Sequence, residues 1–245
     1  MIHYHGADIS PTTAAAKVLT GRHGFVSFAY PSKLEWCLEV CQSFALDNGA
    51  FSAWINGEEV KDWEPYYRWV HSVMNHPGFD FAVIPDVIDG TDEDNDRLLY
   101  ECPLPSHIMA PVWHMHEPIG RLQRLANDYP RVCIGSSGEF DVPGTNKWWG
   151  RMNDALNSII DSQGRPTTKL HGLRMLNPEI FTKIPFASAD STMVGRNVGI
   201  DSAWKGTYMP PDKEWRAQVL AARIESHNSA SRWIPQPKQE LLCLF

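Results

Sequence analysis

Short apolar segments alternate with amphipathic ones along the whole chain, and this alternation restricts the fold more than any other feature. Strand-like runs fall at 2–5, 25–30, 44–46, 81–85, 108–114, 132–136, 170–175 and 186–189. Helix-like stretches lie between and after them, at 11–19, 33–40, 63–75, 93–101, 119–128, 146–162, 178–183 and 212–225. Strand–helix alternation builds a parallel sheet, because a parallel connection must cross over and a helix fills that crossover. Ser10-Pro11 and Asn177-Pro178 each place a capping residue before a first-turn proline, which marks a helix start. Eight strands, each followed by a helix, close as a (β/α)8 barrel of the TIM type. An open doubly wound sheet would carry fewer strands and a glycine-rich first turn, and no G-x-G-x-x-G or phosphate loop follows the first strand. A length of 245 residues suits one such α/β domain. The sequence predicts a barrel over residues 1–232 and a surface extension over 233–245 that includes Ile234-Pro235-Gln236-Pro237.

Composition narrows the partners. No run approaches the roughly 18 consecutive apolar residues that a membrane span requires, so no membrane partner is expected. The segment Met1-Ile2-His3-Tyr4-His5-Gly6 has neither a basic nor an apolar leader region, which reads as a cytoplasmic protein. The five cysteines, Cys37, Cys41, Cys102, Cys133 and Cys243, are unclustered. Only Cys37 and Cys41 share helical spacing, and no CxxC pair or disulfide framework is present. A net charge of -7 opposes an extended, sequence-independent grip on nucleic acid, since phosphate contacts need Lys and Arg. A local basic groove stays open, with Arg174, Lys183, Arg196 and Lys205 as its candidates and scattered surface cations as the alternative.

In such a barrel, chemistry sits at the C-terminal ends of the strands. The polar residues there are His5, Tyr30, Asp47, Asp86, His114, Ser136 to Glu139, Arg174 and Asp190. Asp47 and Asp190 each end an apolar strand and precede small residues that let a ligand approach the backbone. A carboxylate in that position either faces a site or caps the next loop. Asp86 follows a third apolar strand and could accept from an N–H edge such as a guanine-like ring presents. Gly135-Ser136-Ser137-Gly138-Glu139 exposes backbone groups at low steric cost. A rival reading uses the histidines: His3 and His5 share one strand face, and with His114, His116, His171 and Asp190 they could ligate a divalent metal. Ordinary core or rim histidines are the alternative.

Four segments in order, Leu46-Asp47-Asn48-Gly49-Ala50-Phe51, Pro85-Asp86-Val87, Gly135 to Glu139, and Ala189-Asp190-Ser191-Thr192 with Gly195-Arg196-Asn197-Val198-Gly199, resemble the tRNA-guanine transglycosylase superfamily. The chain is most similar to its compact phage branch, which is associated with 7-deazaguanine modification of DNA. The resemblance implies a base exchange that needs no cofactor or catalytic metal. Asp190 would be the nucleophile and Asp47 the general acid/base. Asp86 would read the heterocycle edge, and Gly135, Ser136, Ser137, Gly138 and Glu139 would line its pocket. His114, Phe51, Arg196 and Asn197 complete the implied substrate-binding set, with Phe51, Trp54 and Trp113 as candidate stacking surfaces for an extruded base. The partners implied are guanine or a 7-deazaguanine such as preQ0 and a nucleic acid in the host cytoplasm.

Two departures bear on the transfer. Relatives acting on tRNA carry a structural zinc subdomain of clustered cysteines and a histidine, whereas only His227 and Cys243 stand in that region here. The small size and negative charge leave little room for an added nucleic-acid-binding domain. DNA is therefore the first substrate and tRNA the alternative, and a partner protein, a homodimer, or a free nucleoside or nucleotide substrate stays open. A metal-dependent amidohydrolase-like barrel and a non-catalytic base-binding module are the competing classes.

Overall fold

The computed structural model describes residues 1–197, 199 and 204–235. Val198, Cys243 and the expected extension from residue 236 onward lie outside the described residues. The strands are β1 (Ile2–Gly6), β2 (His23–Ser27), β3 (Ser43–Asp47), β4 (Phe79–Val83), β5 (Met109–Ala110), β6 (Val112–His114), β7 (Arg131–Gly135), β8 (Lys169–Gly172) and β9 (Ser188–Ser191). All pair in parallel, in the order β5-β4-β3-β2-β1-β9-β8-β7-β6.

Strands β5 and β6 stand at opposite ends of this order, yet only Pro111 separates them. On one side the segment accepts from β4, with Ala82 N–H to Ile108 O and Ile84 N–H to Ala110 O, both at 2.9 Å. On the other it accepts from β7, with Cys133 N–H to Pro111 O at 2.8 Å. Proline has no N–H to give the ladder, so one strand reads as two. The sheet thus wraps into a barrel of eight strand positions, the α/β architecture that the alternation predicts.

The helices are α1 (Thr12–Leu19), α2 (Leu34–Val40), α3 (Ala50–Ile55), α4 (Glu64–Val73), α5 (Asp92–Glu101), α6 (Ile119–Asp128), α7 (Asn146–Asn157), α8 (Pro178–Phe181), α9 (Met193–Asn197) and α10 (Lys213–Glu225). Eight of them occupy the expected stretches. The two unforeseen ones, α3 and α9, begin three residues past Asp47 and Asp190. Gly49, at φ 83°, turns the chain into α3, and Ser191 Oγ accepts the Met193 N–H at 2.9 Å to start α9. Each is too short to show a 3.6-residue apolar period. Asn177 caps α8 as expected, accepting the Glu179 N–H at 3.1 Å. The Ser10 signal is corrected: α1 starts at Thr12 with Pro11 in the cap position and no side-chain cap.

Alternate strand residues point into the barrel or out to the helices. Tyr4, Phe25, Ala45, Phe81, Val83, Ala110, Val112 and Cys133 fill the interior. The outer layer packs Trp113, Trp148, Leu170 and Phe181 on one side, and Phe44, Leu46, Tyr66 and Val70 on another. The barrel floor is polar but paired. Asp80 accepts from Tyr4 Oη at 2.6 Å and from Arg131 at 2.8 and 3.1 Å, while the Arg131 guanidinium lies 4.0 Å over the Phe81 ring. Burial works to raise the Asp80 carboxyl, but Arg131 and Tyr4 outweigh it and hold it below the usual range. With the floor plugged, the opposite, C-terminal end is the open one. Trp233 extends the packed domain one residue into the expected extension: it is buried, and its indole N–H donates to Asn157 Oδ1 at 3.0 Å. Among the described residues, no helix is long and apolar enough to cross a membrane.

Candidate active site

Strand parity decides which of the sequence candidates meet. Ala45 faces inward on β3, so Asp47 does too; Val112 sets His114 inward on β6, and Cys133 sets Gly135 inward on β7. Asp190 lies within β9 rather than beyond its end, and it is 5% exposed. Together with Asp86, Phe51, Arg174 and Arg196 these residues line one cavity of about 770 Å³ at the open end of the barrel. That volume lies in the range of small-molecule sites.

The same parity corrects the metal reading. Tyr4 points inward, so His3 and His5 share a face, as expected, but it is the outer one. The His3 ring reaches His227 O at 3.0 Å, and His5 Nε2 meets Glu225 Oε1 of α10 at 2.9 Å. Among the described residues, no group of three or more His, Cys, Asp or Glu is placed to hold a metal ion.

Asp190 is held from the loop after β8. Its Oδ1 accepts the Arg174 N–H at 2.9 Å, and its carbonyl accepts the Leu176 N–H at 2.9 Å. His171 Nε2 approaches the same Oδ1 at 3.3 Å but off the axis of a hydrogen bond. Oδ2 carries no hydrogen bond among the described residues. Arg174 has φ 58°, a left-handed backbone that side chains seldom adopt, and its guanidinium stacks 3.4 Å above the Phe51 ring. The turn that brings the Arg174 N–H to Asp190 therefore also carries a cation over the cavity's aromatic wall.

Asp47 occupies a different environment. Burial pushes its carboxyl up to about 6, and the nearby Asp190 and Asp86 carboxylates add to the rise, against hydrogen bonds from Ser27 and the Gly49 N–H. Asp86 is buried, accepts from Asn48 Nδ2 at 2.7 Å, and lies 2.9 Å from His114 Nε2, again off-axis. Both ring nitrogens of buried His114 lack an aligned partner among the described residues, and the ring borders the cavity. This set presents acceptors and an imidazole to whatever planar polar group enters.

The glycine-serine turn divides. Gly135 and Ser136 reach the cavity, and a Cβ at Gly135 would meet His114 Nδ1 at 3.3 Å. Ser137 turns away to His116 Nδ1 at 2.8 Å, Gly138 at φ 55° packs against His116, and Glu139 is exposed and pairs with Lys147. Asn197 does not border the cavity, although Arg196 does. Among the stacking candidates, Phe51 lines the cavity, Trp54 is 46% exposed beside it, and Trp113 is buried in the outer core with its indole N–H on Pro118 O. Of the proposed basic groove, Arg174 and Arg196 converge while Lys183 sits over the Trp149 ring.

Sequence reasoning does not single out Asn48 or His171 as residues that hold the other site groups; Asn48 only follows Asp47 within one motif. Arg174 is among the expected rim residues and groove cations and does line the cavity, but its backbone N–H on Asp190 and its stacking on Phe51 are not foreseen. His171 entered only as a metal ligand; its sole useful signal was the β8 position opposite Ser188, two residues before Asp190.

No family model matches the chain, and no curated protein matches it. Solved structures similar in chain trace include two mutant tryptophan synthase α-subunits from Pyrococcus furiosus. One is 9% identical with a TM-score of 0.48, the other 10% identical with a TM-score of 0.49, and each match covers 91% of this chain and 95% of that one. A chain from Aquifex aeolicus VF5 is 12% identical with a TM-score of 0.48, covering 91% of this chain and 93% of that one. The fold rests on the strand pairing described above.

Proposed function

We propose that the protein is an enzyme, a transglycosylase that replaces guanine with a 7-deazaguanine base in nucleic acid, DNA in the first instance. The observation that carries this reading is the placement of Asp47 and Asp190, from strands β3 and β9, on one cavity with unlike surroundings. Asp190 Oδ2 attacks C1′ of the guanosine sugar and forms an ester bond. The C1′–N9 bond breaks, and its electron pair leaves with guanine, which takes a proton from the Asp47 carboxyl. An incoming 7-deazaguanine then gives its N9 proton to the Asp47 carboxylate, N9 attacks C1′, and the ester opens to return Asp190. Two displacements retain the sugar configuration, by the logic of retaining glycosidases.

A carboxyl near 6 suits this shuttle, since it can be acid or base close to neutral pH. Asp86 accepts from the N1–H and 2-amino edge, His114 completes that edge, and Phe51 offers the ring the face that Arg174 leaves uncovered. The test supplies labelled guanine or preQ0 to the protein with double-stranded DNA or with unmodified tRNA, and scores label in precipitated polymer. Incorporation into DNA by the wild type and none by Asp190→Asn is the expected result. Equal incorporation by both proteins removes the nucleophile. Base binding without incorporation into either polymer replaces the enzyme with a base-binding module.

A further inference from the structure

His171 lies under the floor of the proposed site, fully buried inside the barrel. Its ring stacks on Phe25 at 5.2 Å and 26°, and meets Phe81 edge-on at 5.1 Å and Tyr4 at 6.0 Å. These rings leave it no room to turn. Nδ1 lies 2.8 Å from Ser188 Oγ, and Nε2 faces Asp190 Oδ1 at 3.3 Å with no aligned partner among the described residues. Ser188 and Asp190 are two residues apart on the inner face of β9, and His171 pairs with Ser188 in register. An apolar side chain would fill this interior without leaving a polar nitrogen unsatisfied, so the imidazole has a use there.

We propose that His171 is a positioning residue for Asp190, held by Ser188 in the Nε2–H tautomer so that an uncharged N–H dipole orients Oδ1 and leaves Oδ2 aimed into the cavity. The alternatives are few. With Nδ1 protonated, the Nε2 lone pair would face an anionic carboxylate oxygen across 3.3 Å, which is repulsive. A hydroxyl can rotate to donate or accept, so Ser188 can donate to Nδ1 and select the other tautomer. Burial lowers the pKa of the ring and keeps it neutral, so it does not cancel the charge of the nucleophile. When the ester forms, Oδ1 changes from a carboxylate oxygen to a carbonyl oxygen and still faces the same N–H dipole. His171 moves no proton. The inference deepens the transglycosylase reading and rests on Asp190 as its nucleophile.

Two measurements on the full chain test it. Nitrogen NMR of ring-labelled protein reads the tautomer directly, without turnover; the expected result is protonated Nε2 in the wild type and loss of that preference in Ser188→Ala. A protonated Nδ1 in the wild type overturns the proposal. The second measurement is the rate of covalent adduct formation with guanine-containing DNA, alongside the affinity for free guanine. His171→Leu should slow adduct formation about 10-fold, the loss of one dipole facing a charged group, which is worth less than an aligned hydrogen bond, with guanine affinity unchanged. His171→Gln, which restores an N–H near the Nε2 position, should recover most of the rate. Wild-type rates in His171→Leu, or a His171→Gln as slow as His171→Leu, refute the role. Absence of any adduct in the wild type defeats the transglycosylase reading instead, and the tautomer then decides the contact to Asp190 by itself.

Discussion

Asp47→Asn should make the protein more stable while stopping the proposed base exchange, and the gain should depend on pH. Burial together with Asp190 and Asp86 raises the Asp47 carboxyl from the usual 3.8 to about 6. The folded pKa is above the unfolded one, so the native state holds the extra proton between those values. Stability is then highest below that window, falls as pH rises through it, and levels off above about 6. At about 1.4 kcal/mol per tenfold change, the ionised carboxylate costs about 3 kcal/mol of folding free energy above the window. That figure is a ceiling, because the residue keeps partial exposure at the cavity mouth. Asparagine preserves the oxygen that accepts the Gly49 N–H at 3.1 Å and carries no charge. Urea unfolding of both proteins should show the variant ahead by up to about 3 kcal/mol near pH 8 and by only about 1 kcal/mol near pH 4.5. Equal stabilities at both pH values, or a variant that is weaker at pH 8, would show that the Asp47 carboxylate is not held against its surroundings.

Other sites give independent checks. Burial works to raise Glu225, but hydrogen bonds from His5 and Arg22 pull it down to about 2, so the tie between α10 and β1 contributes stability above the usual 4.5 that is lost as pH falls toward 2. Glu225→Gln should therefore cost about 2–3 kcal/mol at neutral pH and nothing near pH 2, as read by urea unfolding. A Cβ at Gly172 would lie 2.8 Å from the Phe186 ring and 2.9 Å from Met175 Cβ, so Gly172→Ala should destabilise by about 1–3 kcal/mol in thermal melts. Asp86→Ala removes one partner from Asn48 and leaves His114 facing no carboxylate. Calorimetric titration should show guanine affinity falling about 10- to 100-fold, and an unchanged affinity would remove Asp86 from base recognition.

How far the site could be read from the chain varies with the residue. Asp47, Asp86 and Asp190 stood out because a carboxylate ending an apolar strand is costly unless something at the barrel rim uses it. His3 and His5 went the other way for a reason of phase. Spacing of two says that both lie on one face, but only Tyr4, inside the barrel against Phe25 and Phe81, tells which face that is. Trp113 fails as a stacking surface by the same rule, one residue out of step with His114. The turn from Gly135 to Glu139 reads as a single loop, yet its left-handed Gly138 sends Glu139 out to Lys147 while Gly135 and Ser136 stay at the cavity.

The order of the strands and of eight of the ten helices was settled by the chain alone, because strand and helix periods are local properties of side-chain pattern; α3 and α9 are too short to carry one. The expectation of chemistry at the strand ends came with them. Closure through Pro111, the outward turn of His3 and His5, the stacking of Arg174 on Phe51 and the seating of His171 beneath Asp190 required the folded barrel. Each joins residues from strands or loops that lie far apart in sequence, or depends on the absolute inward phase of a strand, and only packing against the other strands sets that phase.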